Sequence, residues 1–462
     1  MITPDSSEKI RISYKQIREM AKDGKCRIHF IGIGGVSMYS LARLTLAYGA
    51  RVSGSDRENS SRLDSLRLLG AEVTLGHKKD NVFGADLIVY SHAISDQNPE
   101  LLEGRALNLP IVQRAEYLGA IMHNYSTKIG VCGSHGKSTT VAMLDAIFSY
   151  AGRDPTTLSG ADLPILEPYR IGGRDLLIYE ACEYRDSFLR FSPDLALALN
   201  LELDHTDYFP DLDALKKSFT KALCRAKTAV ISGDDPNLSK IKSELSSQVV
   251  TFGFSSGCDY KYEINSFLKG GFSFSLRRFG SLVDEFSLNI PGVYNLTNAA
   301  AAITTAMERG VDISDIKLGI ESFQGIPRRL EYLGNYGRRP VYYDYAHHPT
   351  EISAALSALR SITDRAITLV FCPHTYTRTK SLFSELALSL SEADYPIITD
   401  IYAAREEPIE GVTSQILAES IGGRAVYCPD DEILNMINSR TAGIIVLMGA
   451  GDLSKIKNQL IK

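Results

Sequence analysis

Short apolar runs that end in glycine or an acidic residue, each followed by a helical stretch, set the rhythm of the first third of the chain. CRIHFIGI (Cys26–Ile33) is β-rich and runs into glycines, and a helical pattern follows over Ser37–Tyr48. ARVSGSD (Ala50–Asp56) and ADLIVYS (Ala85–Ser91) are the next strand candidates. Ile111–Glu116 closes the region, and His123–Ser126 reads as a linker. This alternation predicts a parallel sheet covered by helices. A second unit opens at Lys128 with KIGVCGSHGKSTT, a strand running through glycines into a helix over Lys137–Tyr150. LLIYE (Leu176–Glu180) and LALALN (Leu195–Asn200) are continuous apolar runs, the pattern of strands buried on both faces. From Gln248 to Leu288 the segments shorten and alternate (VTFGF, YKYEI, GFSFSLRR, LVDEFSLNI), which predicts an antiparallel patch; an Ala-rich helix follows over Asn295–Met307. A third unit starts near Ile326, with strands at Pro340–Ala346, Ala366–Phe371, Tyr395–Asp400, Arg424–Cys428 and Gly443–Gly449 separated by helical segments. The expectation is an α/β chain of three domains, 1–124, 125–326 and 327–462, with active sites in clefts between them.

The length of 462 residues agrees, because ordinary domains hold roughly 100–200. Apolar residues at 44% and charged residues at 23% exclude whole-chain disorder. Fifty Lys and Arg stand against fifty-five Asp and Glu, a net charge of −5. That balance argues against a nucleic-acid coat or a basic membrane binder, and leaves room for an anionic small molecule held by a few local groups. The seven cysteines are odd in number, scattered, and include no CxxC pair, so neither a disulfide framework nor a zinc module is expected. Cys182 and Cys224 read as buried apolar fillers. The N-terminus is polar, and stretches such as Gly443–Met448 fall short of the ~18–20 residues of a spanning helix. The expectation is a cytoplasmic protein without membrane insertion or a nucleic-acid partner.

Gly133-Ser134-His135-Gly136-Lys137-Ser138-Thr139 carries the strongest chemical signal. The strict phosphate-loop pattern wants a glycine where Val131 stands, but the Gly-Lys-Ser end is intact. Glycines let backbone N–H groups turn onto phosphate oxygens, and the helix N-terminus adds partial positive charge. Lys137 can neutralise β- and γ-phosphates, and the Ser138 hydroxyl can ligate Mg²⁺. Glu180 ends one buried strand, and Asn200 ends the next, followed by Glu202, Leu203, Asp204, His205, Thr206 and Asp207. Carboxylates at strand ends beside such a loop suit Mg²⁺, which prefers oxygen donors. On residue grounds alone His205 is as readily a structural histidine as a ligand.

Gly32-Ile33-Gly34-Gly35-Val36-Ser37 is a degenerate dinucleotide fingerprint, with Ser37 at the last glycine position. Its physics favours a diphosphate over the helix N-terminus, and Asp56 stands where an acidic residue meets a ribose. A nicotinamide dinucleotide and a UDP-sugar both remain open at this loop.

Several further segments carry a family resemblance in one order along nearly the whole chain. They are HFIGIGG (His29–Gly35), VSGSD (Val52–Asp56), SHAIS with NPE (Ser91–Glu100), RAE (Arg114–Glu116), GSHGKSTT (Gly133–Thr140) and EACEYRDSFL (Glu180–Leu189). NLELDHTDYF (Asn200–Phe209), PGVYNLTNAAAA (Pro291–Ala302), RRLEYLG (Arg328–Gly334), DYAHHPTE (Asp344–Glu351), PHTYTRTK (Pro373–Lys380) and MGAGD (Met448–Asp452) complete the series. In these the chain resembles the Mur ligases, which build peptidoglycan precursors, and within them the members that add L-alanine to UDP-N-acetylmuramate. A sister that recycles murein tripeptide is the alternative.

The resemblance implies an N-terminal Rossmann-like UDP-sugar domain, a central ATPase-like domain and a C-terminal Rossmann-like domain that closes on both. It implies that ATP phosphorylates the lactyl carboxylate and that alanine displaces the phosphate, with Mg²⁺ as cofactor and a monomer or weak homodimer as the working form. By the same resemblance Lys137, Glu180, His205, His347 and Arg378 are catalytic, and Ser138, Glu180 and His205 hold metal. Gly133 to Thr139, Asn295, Arg329 and Asp344 contact ATP. Gly34, Gly35, Ser55 and Asp56 contact the UDP-sugar, and Tyr345, His347, His374 and Arg378 the amino acid. Either His347 or His374 accepts the amine proton. The segments near His123–Ser126 and Gln324–Arg329 are expected hinges. Ser37, Tyr39 and Ser40 depart from many relatives' first fingerprint, Thr375 stands where some have Arg, and no carbamylated lysine is expected.

Overall fold

The structure is a computed structural model that describes residues 12–165, 167–205, 208–268, 270–404, 406–440, 443–451 and 453–461. Thr206 and Asp207 of the NLELDHTDYF segment, and Asp452 of MGAGD, lie outside the described residues. The chain divides into two compact units. One comprises Met1–Tyr262, Arg277–Val283 and Ala300–Gly319; the other comprises Glu263–Leu276, Asp284–Ala299 and Ile320–Lys462.

The first unit opens with strands β1 (Arg27–Ile31), β2 (Arg51–Asp56), β3 (Glu72–Leu75), β4 (Leu87–Tyr90) and β5 (Ile111–Gln113). They form one parallel sheet in the order β3-β2-β1-β4-β5. The order reverses at β1, so the glycines after Ile31 sit at the switch point where doubly wound sheets bind ligands. The helix Val36–Tyr48 starts directly behind them.

The next strands are β6 (Thr127–Cys132), β7 (Thr156–Leu158), β8 (Tyr169–Arg170), β9 (Leu176–Glu180), β10 (Leu195–Ala198), β11 (Thr228–Ser232) and β12 (Gln248–Gly253). Their order is β12-β11-β10-β6-β9-β7-β8, and all pairs but the β7–β8 pair are parallel. Ile129, Val131, Leu177, Ile178, Leu195 and Leu197 are fully buried, as continuous apolar runs demand in a sheet covered on both faces. The order reverses again, at β6, immediately before the phosphate loop.

Two aromatic contacts tie these sheets together. The Tyr48 hydroxyl meets the Tyr125 hydroxyl at 2.8 Å, and the Arg43 guanidinium lies 5.0 Å from the Tyr169 ring. The His123–Ser126 connection therefore contains a short 3₁₀ turn and a buried tyrosine. Cys182 and Cys224 are half-buried, not core fillers: each sits at the end of an element where one side faces out.

β13 (Tyr260–Leu268) begins parallel to β12 at Phe252↔Tyr260, so the antiparallel patch starts one strand later than the alternation predicts. β14 (Gly271–Arg278) and β15 (Ser281–Leu288) follow as neighbours after connections too short for a parallel crossover. The helix Val293–Glu308 comes next.

The second unit contains β16 (Glu331–Tyr336), β17 (Arg339–Asp344), β18 (Ile367–Cys372), β19 (Tyr395–Ile398), β20 (Val426–Tyr427) and β21 (Ile444–Gly449), ordered β16-β17-β21-β18-β19-β20. Only β16, an edge strand, runs antiparallel to its neighbour. β18 and β21 are buried throughout and form the centre of this sheet. No helix of the described residues is long and apolar enough to cross a membrane.

Candidate active site

The phosphate loop is the turn between β6 and the helix Lys137–Tyr150. Gly133 and Gly136 have φ of 141° and 85°, a region that L side chains rarely adopt. A Cβ at Gly133 would also lie 3.1 Å from that of Leu199, so the loop needs glycine there twice over. Asn200 braces the turn: its Oδ1 accepts the His135 N–H at 2.8 Å and its Nδ2 donates to the His135 carbonyl at 3.1 Å. The Ser134 hydroxyl donates to the Glu202 carbonyl at 2.8 Å and accepts the Glu202 N–H at 2.9 Å.

Lys137 reaches back across the loop it follows. Its ammonium donates to the Gly133 carbonyl, to the Ser134 carbonyl at 3.2 Å, and to both oxygens of Glu183 at 3.1 Å each. Burial alone would lower this ammonium's pKa; the Glu183 carboxylate outweighs that, helped by Cys182 and Glu180, and raises it above the ordinary lysine range. Lys137 is therefore a fixed cation. His205, at a φ of 55°, places Nε2 at 3.8 Å from Glu183 and its ring 4.8 Å from that of Tyr184.

Glu180 Oε1 accepts the Ser159 hydroxyl at 3.1 Å and the Gly160 N–H at 2.7 Å. Among the described residues its Oε2 accepts no hydrogen bond, and a Cβ at Gly160 would lie 2.7 Å from that oxygen. Glu180 therefore offers one oriented oxygen in a cradle that a larger residue would fill. With the Ser138 hydroxyl it supplies hard donors that suit Mg²⁺, and His205 is a less usual ligand for that ion.

At the first loop, Asp56 Oδ2 accepts the Gly34 N–H at 2.8 Å. Gly35 is the residue from which the helix Val36–Tyr48 starts. Ser55 is fully buried, and its hydroxyl meets Glu100 at 2.6 Å and His77 at 2.9 Å. Burial pushes the Glu100 carboxyl up, but His29, 3.6 Å away, and hydrogen bonds from Ser55 and Asn81 more than offset it, so the group is lowered and stays ionised.

In the second unit, Asp344 ends β17 and accepts the Leu330 and Ala346 N–H groups at 2.7 Å each. Burial pushes its carboxyl up to about 6 against the opposing charge of Arg329. The Arg329 guanidinium lies 5.1 Å from the Tyr345 ring, and Arg328, at φ 59°, lies 4.6 Å from the same ring. Asn295 is buried, with its amide donating to the Pro291 carbonyl at 2.7 Å.

Tyr345, His347, His374 and Arg378 do come together: ring centroids are 5.4 Å apart for Tyr345–His347 and 5.6 Å for His347–His374. His374 Nδ1 lies 3.0 Å from Arg378 Nη1. A guanidinium only donates, so that nitrogen accepts and the His374 proton sits on Nε2. His347 Nδ1 lies 3.0 Å from the Tyr345 carbonyl, which only accepts, so His347 carries a proton on Nδ1. Thr375, at φ 63°, caps the helix Tyr376–Ser381 with its hydroxyl.

Three family models match in succession: "Mur ligase family, catalytic domain" over residues 27–126, "Mur ligase middle domain" over 131–306 and "Mur ligase, glutamate ligase domain" over 328–451. The chain belongs to the Mur ligase family. This Mur ligase is 38% identical over 453 residues to a UDP-N-acetylmuramate–L-alanine ligase of Clostridium botulinum, covering 96% of this chain and 99% of that one. It is 40% identical to the enzyme of that name from Acetivibrio thermocellus, covering 94% and 95% of the two chains. Among solved structures it resembles the UDP-N-acetylmuramate–alanine ligase MurC of Thermotoga maritima, with a TM-score of 0.81, 26% identity and coverage of 94% and 98%. A murein peptide ligase of Psychrobacter arcticus shares the fold, with a TM-score of 0.74 at 24% identity and coverage of 94% and 98%.

The site of this Mur ligase contains one group that sequence reasoning passes over, Glu183. It lies three residues beyond Glu180 in the same EACE segment, and its near-complete burial beside Lys137 is visible only in the fold.

Proposed function

We propose that this Mur ligase joins L-alanine to the lactyl carboxylate of UDP-N-acetylmuramate at the expense of ATP, releasing ADP and phosphate. The observation that carries the reading is the Lys137 ammonium, held across a glycine loop at a sheet's switch point by Glu183, which also faces His205, with the Glu180 charge close by. The end-to-end likeness to alanine-adding ligases supports the choice of acid and amine. The recycling reading rests on solved structures with lower TM-scores, 0.74 and 0.59 against 0.81, and is the weaker one.

The chemistry has two stages. A carboxylate oxygen attacks the γ-phosphorus, the bond to ADP breaks, and an acyl phosphate forms. The alanine nitrogen then attacks the acyl carbon and gives up a proton, and the tetrahedral intermediate expels phosphate. The first stage brings two anions together, so fixed positive charge is needed where charge accumulates. Lys137 and the N-terminus of its helix provide that charge. Mg²⁺, held by Ser138 and Glu180 with His205 nearby, would supply further neutralisation of phosphate oxygens. In the second stage Arg378 holds the alanine carboxylate. His347 is the better proton acceptor of the two histidines, because its Nδ1–H is committed to the Tyr345 carbonyl and the neutral ring then accepts at Nε2, whereas His374 Nδ1 already accepts from Arg378. Gly34, Gly35 and Asp56 hold the UDP end of the acid, with Ser55 supporting them from behind; Asn295, Arg329 and Asp344 contact the nucleotide.

A phosphate-release assay tests this with ATP, Mg²⁺, UDP-N-acetylmuramate and a panel of amino acids. Phosphate should appear only with all components and fastest with L-alanine. Release that requires a murein tripeptide in place of alanine, or no release at all, would overturn the reading.

A further inference from the structure

Glu183 stands at the centre of the polar groups around the phosphate loop, yet it has no place in the two-stage chemistry. Its carboxylate is almost fully buried. A buried charge is costly unless paired, and both of its oxygens lie 3.1 Å from Lys137 Nζ. An ammonium has three N–H bonds to give. Two acceptors are carbonyls of the loop itself, at Gly133 and Ser134, and they move with the loop. Glu183 alone brings a full negative charge, and it comes from a separate element, the turn after β9.

That turn is held stiffly. Arg185 and Asp186 both have positive φ, at 51° and 55°, which non-glycine residues adopt only when their surroundings over-determine them. Asp186 provides that restraint: it accepts hydrogen bonds from the Tyr208 hydroxyl at 2.7 Å and from the Ser218 hydroxyl. On its other side Glu183 Oε1 lies 3.8 Å from His205 Nε2. One buried anion on a rigid turn thus faces two of the groups the reaction uses. Both of its oxygens face Lys137, whereas Glu180 Oε2 accepts no hydrogen bond among the described residues, so Glu180 is the better donor for a cation beside Ser138.

We propose that Glu183 is a positioning residue, whose negative charge fixes Lys137 Nζ across the phosphate loop and orients His205 beside it. It touches no substrate and acts through the lysine. The inference rests on the ligase reading for its effect on turnover, and on the loop alone for its effect on nucleotide.

The test uses the full chain with Glu183→Gln and Glu183→Asp. Gln keeps the volume but replaces one oxygen with an NH₂ that points donor at donor toward Lys137. Glu183→Gln should lower kcat for phosphate release about a hundredfold, the scale of losing one preorganised charge-stabilising group. It should also weaken ATP binding about tenfold, while KM for UDP-N-acetylmuramate and alanine stays within about twofold. Glu183→Asp, which retains the charge on a shorter arm, should recover about tenfold of the lost kcat. Circular dichroism and melting curves establish that the variants are folded. A folded Glu183→Gln protein with parental kcat and ATP affinity overturns the proposal. So does one in which all three KM values rise in step with the fall in kcat, because general distortion would do that. If the parent releases no phosphate while its ATP affinity still depends on Glu183, the ligase reading fails and the positioning role stands.

Discussion

Replacing Lys137 with Met separates the two things this side chain does. The ammonium and the Glu183 carboxylate are 3.1 Å apart and both largely buried. At that separation, with an effective dielectric of about 20, their Coulomb attraction is about 5 kcal/mol. Desolvation offsets much of it, but removing one partner leaves the other as an uncompensated buried charge, which costs about 3–5 kcal/mol. Lys137→Met should therefore melt well below the parent as well as lose phosphate release by at least about a thousandfold. Adding Glu183→Gln to Lys137→Met removes the orphaned anion. The double variant should regain most of the lost melting temperature and none of the turnover. UDP-N-acetylmuramate binding should stay within about twofold of the parent in both, because its loop lies on another sheet, after β1. The assays are melting curves, phosphate release and a UDP-sugar titration on the same three proteins. Equal melting of Lys137→Met and parent would refute the buried-pair argument; turnover restored in the double variant would refute the role of the lysine.

Gly160→Ala should weaken Mg²⁺ dependence about tenfold, because its Cβ would press to 2.7 Å from Glu180 Oε2; a magnesium titration of phosphate release with an unchanged midpoint would contradict this. Arg378→Lys should raise KM for alanine about tenfold or more and leave KM for ATP unchanged, since a point charge cannot replace a fork that also holds His374 Nδ1. Asp344 carries a folded pKa of about 6 against an unfolded value of about 3.9, so the native state binds more protons between those values and stability falls as pH rises through that window. Asp344→Asn should therefore gain on the parent in unfolding free energy from about pH 4 to pH 7, by up to about 3 kcal/mol less its lost hydrogen bond; a flat difference in melting curves across that range would count against it.

Much of this fold is legible in the chain because its strands are buried on both faces. Leu176–Glu180 occupies the span the pattern predicts because its apolar run is continuous, and the helix Lys137–Tyr150 does so because the glycine turn before Lys137 marks its start. β16 is not legible: it is an edge strand with only partly buried or exposed residues, so RRLEYLG shows no apolar face to read. The parallel start of β13 is hidden for a different reason, because alternation reports a half-buried strand and is blind to its direction. The glycine loop and Lys137 are legible because one continuous segment carries them. Glu183 is not, because Glu180, Glu183 and Asp186 are interchangeable as letters. Only the turn after β9 decides that the first faces Gly160, the second Lys137 and the third Tyr208. The proton positions on His347 and His374 depend on what each ring nitrogen meets, a matter of ångströms that no spacing encodes.

The same topological rule produces two loops of opposite electrical character. Each follows the strand at which its sheet reverses order, β1 in one case and β6 in the other, and each leads into a helix. At the first, the side chain that engages the glycine turn is a carboxylate, Asp56, on the Gly34 N–H. At the second it is an ammonium, Lys137, on the Gly133 and Ser134 carbonyls. A carboxylate that occupies one N–H favours a neutral donor such as a sugar hydroxyl at that point and leaves the helix N-terminus at Gly35 for a diphosphate, so the first loop suits a ligand that is held and left unchanged. An ammonium with a buried counter-ion meets added negative charge without moving, so the second suits a phosphoryl group in transit. On the proposed function, the division between binding the acid and activating it follows from which charge the chain places at each reversal.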